Sequence, residues 1–287
     1  MTLSHGSRYR LGLIGAGIQA SRTPAMHERE AAAQGLQCEY RLIDLAKPGV
    51  GVEALPGLID EAERQGFAGL NITHPCKQAV LPLLHELSDD ARAIGAVNTV
   101  VFSNGRRVGH NTDWFGFAES FRRHLPDVGI GNVVQLGAGG GGAAVSHALL
   151  TLGVQEILLF DIDNERASGL AAALCARFGE GRASAGTDLE SSMRAADGLV
   201  HATPTGMTAH PGLPLPAELL RSSLWVAEIV YFPLETALLR AARDLKCRTM
   251  NGSAMAVFQA VEAFRLFTGI APDAKRMQRH FESMVRK

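Results

Sequence analysis

The sequence predicts an α/β fold of two domains with parallel sheets. Three observations carry this. Short apolar runs of strand type alternate with Ala-, Glu- and Leu-rich helical runs along the chain. A glycine-rich turn at residues 137–142 stands between one such run and one such helix. The alternation restarts after a helix-like stretch at 114–131, which marks the best boundary.

The elements follow in order. Residues 9–14 form an apolar run ending in glycines, a strand, and 25–34, rich in Ala, Glu and Met, form a helix. Strands are expected at 39–44 and 69–73, with a helix at 58–65 between them. Residues 80–87 and 89–93 read as helical, and 99–102 as extended. The second half gives strands at 132–136, 156–160, 198–201 and 226–230. Helices are expected there at 141–152, 164–178 and 234–245, then 256–266 and 273–284 at the end. Internal repeats of 20 to 50 residues and low-complexity tracts are absent from the sequence.

Composition narrows the function classes. The 287 residues carry 28 Lys and Arg against 29 Asp and Glu, a net charge of −1, which argues against a polyanionic partner such as nucleic acid. No stretch approaches the ~20 apolar residues of a membrane span. The first ten residues lack the apolar core of a secretory signal. Cys38, Cys76, Cys175 and Cys247 are scattered, a spacing that suits reduced thiols in the cytoplasm better than disulfides or zinc. No metal is expected. The one excess is glycine, 31 residues, well above the typical ~7%.

Two of the glycine clusters match the G-x-G-x-x-G/A pattern of a dinucleotide-binding turn. Such a turn needs a strand before it and a helix directly after it, so that backbone N–H groups face the pyrophosphate. Gly15-Ala16-Gly17-Ile18-Gln19-Ala20 fails this test, because Pro24 delays the helix to position 24 or beyond. Gly137-Ala138-Gly139-Gly140-Gly141-Gly142 passes, and it predicts a Rossmann-type, doubly wound parallel-sheet cofactor domain. Asp161 ends the next strand, at the spacing of a ribose-binding acid. A carboxylate there repels a 2′-phosphate, so NAD is expected in preference to NADP. Asp163 reads as a helix N-cap.

The first half carries polar clusters at its strand ends: Ser21-Arg22-Thr23, Asn71 to Lys77, Val97-Asn98-Thr99 and Asn111-Thr112-Asp113. Side chains of this kind suit a small polyhydroxylated ligand with a carboxylate. Turns favour the same residues, so the number of clusters is what points to a site.

These motifs resemble the shikimate/quinate dehydrogenase family. The resemblance rests on Ser21-x-Thr23-Pro24, the N-x-T-x-P-x-K block from Asn71 to Lys77, Gly95-Ala96-Val97-Asn98-Thr99 and Gly109-x-Asn111-Thr112-Asp113. It continues through the second glycine turn, Ala202-Thr203-Pro204-x-Gly206-Met207, Tyr231-x-Pro233-x-x-Thr236 and Phe258-Gln259-Ala260, covering residues 10–285. The Ser-Arg-Thr and Asn-Ile-Thr-His-Pro-x-Lys versions, with the acid at Asp161, look like the NAD-dependent quinate/shikimate branch of bacterial catabolism.

The resemblance implies an N-terminal α/β substrate-binding and catalytic domain at 1–114 and a nucleotide domain at 115–251. It also implies closing helices at 252–287 that return to the first domain. It implies that Lys77 and Asp113 are the catalytic pair, with the choice of formal base left open. Ser21 and Thr23 would hold the substrate carboxylate, and Thr73, Asn98 and Gln259 the ring hydroxyls. Gly137, Ala138, Gly139, Gly140, Gly141, Gly142, Asp161, Thr203, Met207 and Tyr231 would hold the nucleotide. The partner is a small-molecule substrate, and the chain is expected to be a monomer or homodimer.

Three departures from the family pattern stand out. Thr23 replaces a more common Ser, Cys76 a more common aromatic, and Glu228 an Asp. Cys76 reads as a buried thiol in preference to a pocket-widening residue. Competing readings are a dehydrogenase of aminoshikimate or another cyclohexane-carboxylate, a methylenetetrahydrofolate dehydrogenase, and a non-catalytic NAD-binding regulator.

Overall fold

The computed structural model describes residues 8–46 and 50–285, so most of the stretch read for a secretory signal lies outside the described residues. The chain divides into two compact units. One is the chain up to Thr112 together with the chain from Gln259 onward, and the other is Asp113–Phe258. The first division lies two residues before the expected 114 and the second seven residues after the expected 251, inside a helix.

The first unit contains β1 (Arg8–Gly15), α1 (Thr23–Ala33), β2 (Gln37–Asp44), α2 (Leu55–Arg64), β3 (Gly69–Ile72) and α3 (Cys76–Ala79). These are followed by β4 (Glu86–Leu87), α4 (Asp89–Ile94), β5 (Thr99–Ser103) and β6 (Arg106–His110). Its six strands lie in the order β2-β1-β3-β5-β6-β4. β1 pairs in parallel with β2 and β3, but β5 runs antiparallel to both β3 and β6. This sheet is therefore mixed, which corrects the expectation of parallel sheets throughout. The two-residue turn Asn104-Gly105, both at positive φ (52° and 70°), folds β5 back on β6. Asn-Gly is the residue pair a tight hairpin favours.

The helix expected at 80–87 is also corrected. α3 ends before it, a single 3₁₀ turn covers Leu81–Leu83, and Glu86–Leu87 is a strand. Pro82, inside that segment, cannot donate a backbone hydrogen bond and stops the helix. α1 starts at Thr23, two residues before the expected 25, with Pro24 in its first turn, where no intrahelical N–H is required.

The second unit contains α5 (Asp113–His124), β7 (Asn132–Leu136), α6 (Gly140–Thr151), β8 (Glu156–Phe160), α7 (Asn164–Phe178) and β9 (Ala183–Ala185). It continues through α8 (Leu189–Ala195), β10 (Gly198–His201), β11 (Trp225–Glu228), α9 (Ala237–Asp244) and β12 (Arg248–Met250). α10 (Gly252–Thr268) then carries the chain into the first unit, where α11 (Ala274–Val285) closes it. All six strands of this unit are parallel, in the order β12-β11-β10-β7-β8-β9. This is the doubly wound order with its switch point between β7 and β10. The central strands are buried on both faces. Val133, Val200 and Ala227 pack in one cluster, while Val134, Leu199 and Val226 pack in the other. Neither β9, α8 nor β12 was expected, because three-residue strands of Ala-Ser-Ala and Arg-Thr-Met carry almost no apolar signal.

A buried acid ties the closing helix to α1, beside the packing of Ala263 and Phe267 against Leu11, Leu13 and Tyr40. Glu30 of α1 is fully buried and takes a bidentate pair from Arg276 of α11, Nη2 to Oε1 and Nε to Oε2, both at 2.7 Å. Asp273 N (2.8 Å) and Gln34 Nε2 (2.6 Å) also donate to it. Burial pushes the Glu30 carboxyl up, but the donors Arg276, Asp273 N and Gln34 outweigh it and hold it below the ordinary range. Glu30→Ala is expected to cost about 3 kcal/mol, since it strands Arg276 and the Asp273 N–H, and a lower urea midpoint will show it. A depressed folded value makes this stability fully present above the ordinary glutamate pKa of about 4.3 and lost as pH falls through the folded one. The gap between wild type and Glu30→Gln is therefore expected to close in acid.

Among the described residues no helix is long and apolar enough to cross a membrane. The four cysteines are free thiols.

Candidate functional site

The substrate-side candidates Ser21, Thr23, Thr73, Lys77 and Asn98 lie on the segments that follow β1 and β3 and lead into β5. Gly15 ends β1, and a Cβ there would lie 2.2 Å from Thr73 Cγ2 and 2.9 Å from His74 O. Only glycine lets the two turns touch. Ala16 N donates to His74 O (2.9 Å), and Thr73 N to Ile14 O (2.9 Å). Asp44 shapes the first turn by accepting Gly17 N and Gln19 Nε2. The chain then reaches Ser21, whose Oγ accepts Thr23 N (3.3 Å) at the N-terminus of the 11-residue α1. Hydroxyls at the positive end of a helix suit a carboxylate.

Lys77 is half-buried on the short α3, and its carbonyl accepts Val97 N (2.9 Å). Lys77 and Asn98 thus share one backbone frame. Asn98 is buried, with its orientation set on several sides. Its Oδ1 accepts Thr112 N (2.7 Å) and Thr99 Oγ1 (3.1 Å), and its Nδ2 donates to Thr112 Oγ1 (3.0 Å). Asn71, the head of the first motif, is an internal brace. It donates to Thr99 Oγ1 (3.0 Å) and Asn98 O (3.3 Å) while Tyr40 OH donates to its Oδ1 (2.7 Å). Cys76 is fully buried in the core with Ile14, Ile72 and Val80, and burial pushes its thiol up. The half-buried Gln259 belongs to this unit, and the buried Asp113 opens the other.

In the second unit, the glycine turn lies at the C-terminal end of β7, beside the switch point. Gly137 has φ +102°, and a Cβ there would lie 2.6 Å from Ala202 O. A Cβ on Gly142 would lie 2.2 Å from Gly137 O. Gln135 braces the loop from below, donating to both Gly137 O (2.9 Å) and Gly142 O (3.0 Å), and is held by Ser146 Oγ (2.9 Å). Above the turn, no described atom lies within 4 Å of a Cβ on Gly139 or Gly140. That open backbone at the start of α6 fits a pyrophosphate. Gln135 and Ser146 escaped the sequence reading, because a buried amide inside an apolar strand carries no motif.

Asp161 follows β8 and accepts Ala138 N (2.7 Å) and Asp163 N (3.0 Å), so the acid is tied to the turn itself. Asp163 caps α7 through Glu165 N and Arg166 N, as expected. Thr203 and Met207 follow β10, and Tyr231 follows β11; Thr203 is half-buried and the other two are exposed. All the nucleotide candidates therefore stand at the C-terminal edge of one parallel sheet, where doubly wound folds bind ligands. Among the described residues no three His, Cys, Asp or Glu side chains are grouped to hold a metal.

A switch-point glycine turn backed by an acid on the next strand is how a dinucleotide is held. A separate unit presenting a lysine among amides and hydroxyls supplies what an alcohol substrate needs. The class this defines is a two-unit, nucleotide-dependent alcohol dehydrogenase.

Comparison with known proteins narrows it. The family model for the shikimate dehydrogenase substrate binding domain matches residues 13–100, and that for the shikimate 5'-dehydrogenase C-terminal domain matches 252–280. A shikimate dehydrogenase (NADP(+)) of Streptomyces avermitilis is 62% identical over 94% of this chain and 93% of its own. A quinate/shikimate dehydrogenase (NAD(+)) of Corynebacterium glutamicum is 50% identical over 96% and 98%. The solved quinate dehydrogenase from Corynebacterium glutamicum in complex with NAD superposes with a TM-score of 0.92 at 49% identity, covering 97% of this chain and 99% of that one. The chain belongs to the shikimate/quinate dehydrogenase family and is an oxidoreductase of that type.

Proposed function

We propose that this chain catalyses the reversible, NAD-dependent oxidation of the ring secondary alcohol of quinate or shikimate to the 3-dehydro ketone. The first unit binds the acid and the second binds the nucleotide. Ser21 and Thr23 hold the carboxylate at the start of α1, and Thr73, Asn98 and Gln259 take the ring hydroxyls. Lys77 and Asp113 remove the hydroxyl proton as the carbon loses hydride. Bound nucleotide supplies the hydride acceptor. The observation that carries this reading is the shared frame of Lys77 and Asn98: the lysine carbonyl bonds the residue before the asparagine, and the asparagine amide is locked by Thr112.

The preference for NAD rests on Asp161, whose carboxylate occupies the end of β8. Arg166, the first cation after it in sequence, is engaged by Asp163 at 3.6 Å. With the acid in place, kcat/KM is expected to favour NAD over NADP by about tenfold or more. Asp161→Ser should shrink that ratio. A panel of quinate, shikimate and aminoshikimate, each with NAD and NADP, tests both parts. Negligible rates on all three acids overturn the substrate, and comparable kcat/KM with NADP overturns the nucleotide.

A further inference from the structure

β10 and β11 end side by side with His201 and Glu228 in register. Both side chains are fully buried, with His201 Nδ1 2.9 Å from Glu228 Oε1 and 3.0 Å from Oε2. Neither residue belongs to the nucleotide set proposed above. Their contacts nevertheless lead into the two loops that carry Thr203, Met207 and Tyr231.

The hydrogen bonds can be followed outward from the carboxylate. Glu228 Oε1 accepts Val230 N (3.0 Å), and Oε2 accepts Thr236 Oγ1 (3.2 Å). Thr236 in turn caps α9 by accepting Leu239 N (3.2 Å). A carboxylate only accepts, so Nδ1 carries the proton in the His201 contact. The other ring nitrogen, Nε2, meets the Thr203 hydroxyl, whose oxygen also takes Thr205 N (3.2 Å). Gly206, at φ +93°, lets the first loop close on the second: a Cβ there would sit 3.3 Å from Thr236. One buried pair therefore sets the Thr203 rotamer, the backbone after β11 and the approach of the two loops.

We infer that His201, anchored by Glu228, is a positioning residue that presents Thr203 to the nucleotide. The inference rests on the reading of Thr203 as a nucleotide-binding residue. It assigns His201 no contact with substrate or cofactor.

A double-mutant cycle tests it, read by calorimetric titration of the unliganded protein with NAD. In His201→Asn the shorter amide still donates to Glu228 but no longer reaches Thr203. It is expected to weaken NAD binding about tenfold, while the quinate KM at saturating NAD stays within about twofold and the melting curve is little changed. In a Thr203→Val background the same substitution should add nothing further. Additive effects, or wild-type NAD affinity in His201→Asn alone, overturn the inference.

Thr203→Val alone separates the two ideas. If it leaves NAD affinity intact, the reading of Thr203 fails. If it weakens NAD binding and His201→Asn does not, only the present inference fails. Should His201→Asn not fold, His201→Thr, whose hydroxyl also stops short of Thr203, must show the same pattern. If neither folds, the pair is a core brace and the inference falls.

Discussion

Lys77→Ala is expected to lower kcat by about 10²- to 10⁴-fold, the range for removal of a group that moves a proton in the transition state. The protein should stay folded. The carbonyl of Lys77 accepts Val97 N, and alanine keeps that bond. The side chain is only half-buried, on a four-residue helix whose anchor is the fully buried Cys76 next to it. Substitution therefore removes an ammonium group without opening a cavity in the core. NAD affinity should also persist, because the glycine turn and Asp161 belong to the other unit. Three measurements decide the matter: steady-state NADH formation, calorimetric NAD binding and a melting curve. A near-normal rate removes Lys77 from the chemistry. Loss of rate together with loss of folding makes it structural.

The parts of this molecule that sequence made legible are those specified locally. Asp163 reads as a cap because the residue type and the following helix are adjacent, and both backbone donors are found on it. The second glycine turn reads as a nucleotide loop because strand, turn and helix are contiguous. The first is distinguished from it by a single proline. Even the β5–β6 hairpin has a local signal, the pair Asn104-Gly105.

What stayed hidden depends on register or on distant pairing. His201 and Glu228 meet only because β10 and β11 pair in one register, and a shift of one residue would turn one of them to the other face. Glu30 finds Arg276 across 246 positions, and an isolated Glu on a helix reads as a solvated charge. Asn71 was legible as part of a motif but not as a brace, since its partners Tyr40 and Thr99 come from two other strands. Polar residues announce a site in the sequence. Which of them face a ligand and which hold the others is decided by burial.

Gly142→Ala is expected to abolish NAD binding, raising Kd by about 100-fold or more, in line with a loss of some 3 kcal/mol. The added Cβ would stand 2.2 Å from Gly137 O, and that oxygen is backbone, with no rotamer to move aside. The turn must open to admit it. Opening pulls Gly137 O and Gly142 O away from Gln135 Nε2, which bonds both, and leaves a buried amide with unmet donors. Gly137 cannot retreat, because at φ +102° its own α-carbon already faces Ala202 O. The strain is therefore passed to the open backbone at Gly139 and Gly140. The first unit shares none of these atoms, so quinate binding measured without nucleotide should be unaffected. Gly140→Ala is the control. A Cβ there meets no described atom within 4 Å, so the empty turn tolerates it and any loss of NAD affinity comes from the ligand side alone. If Gly142→Ala binds NAD as well as the wild type does, the tight turn is not what holds the nucleotide.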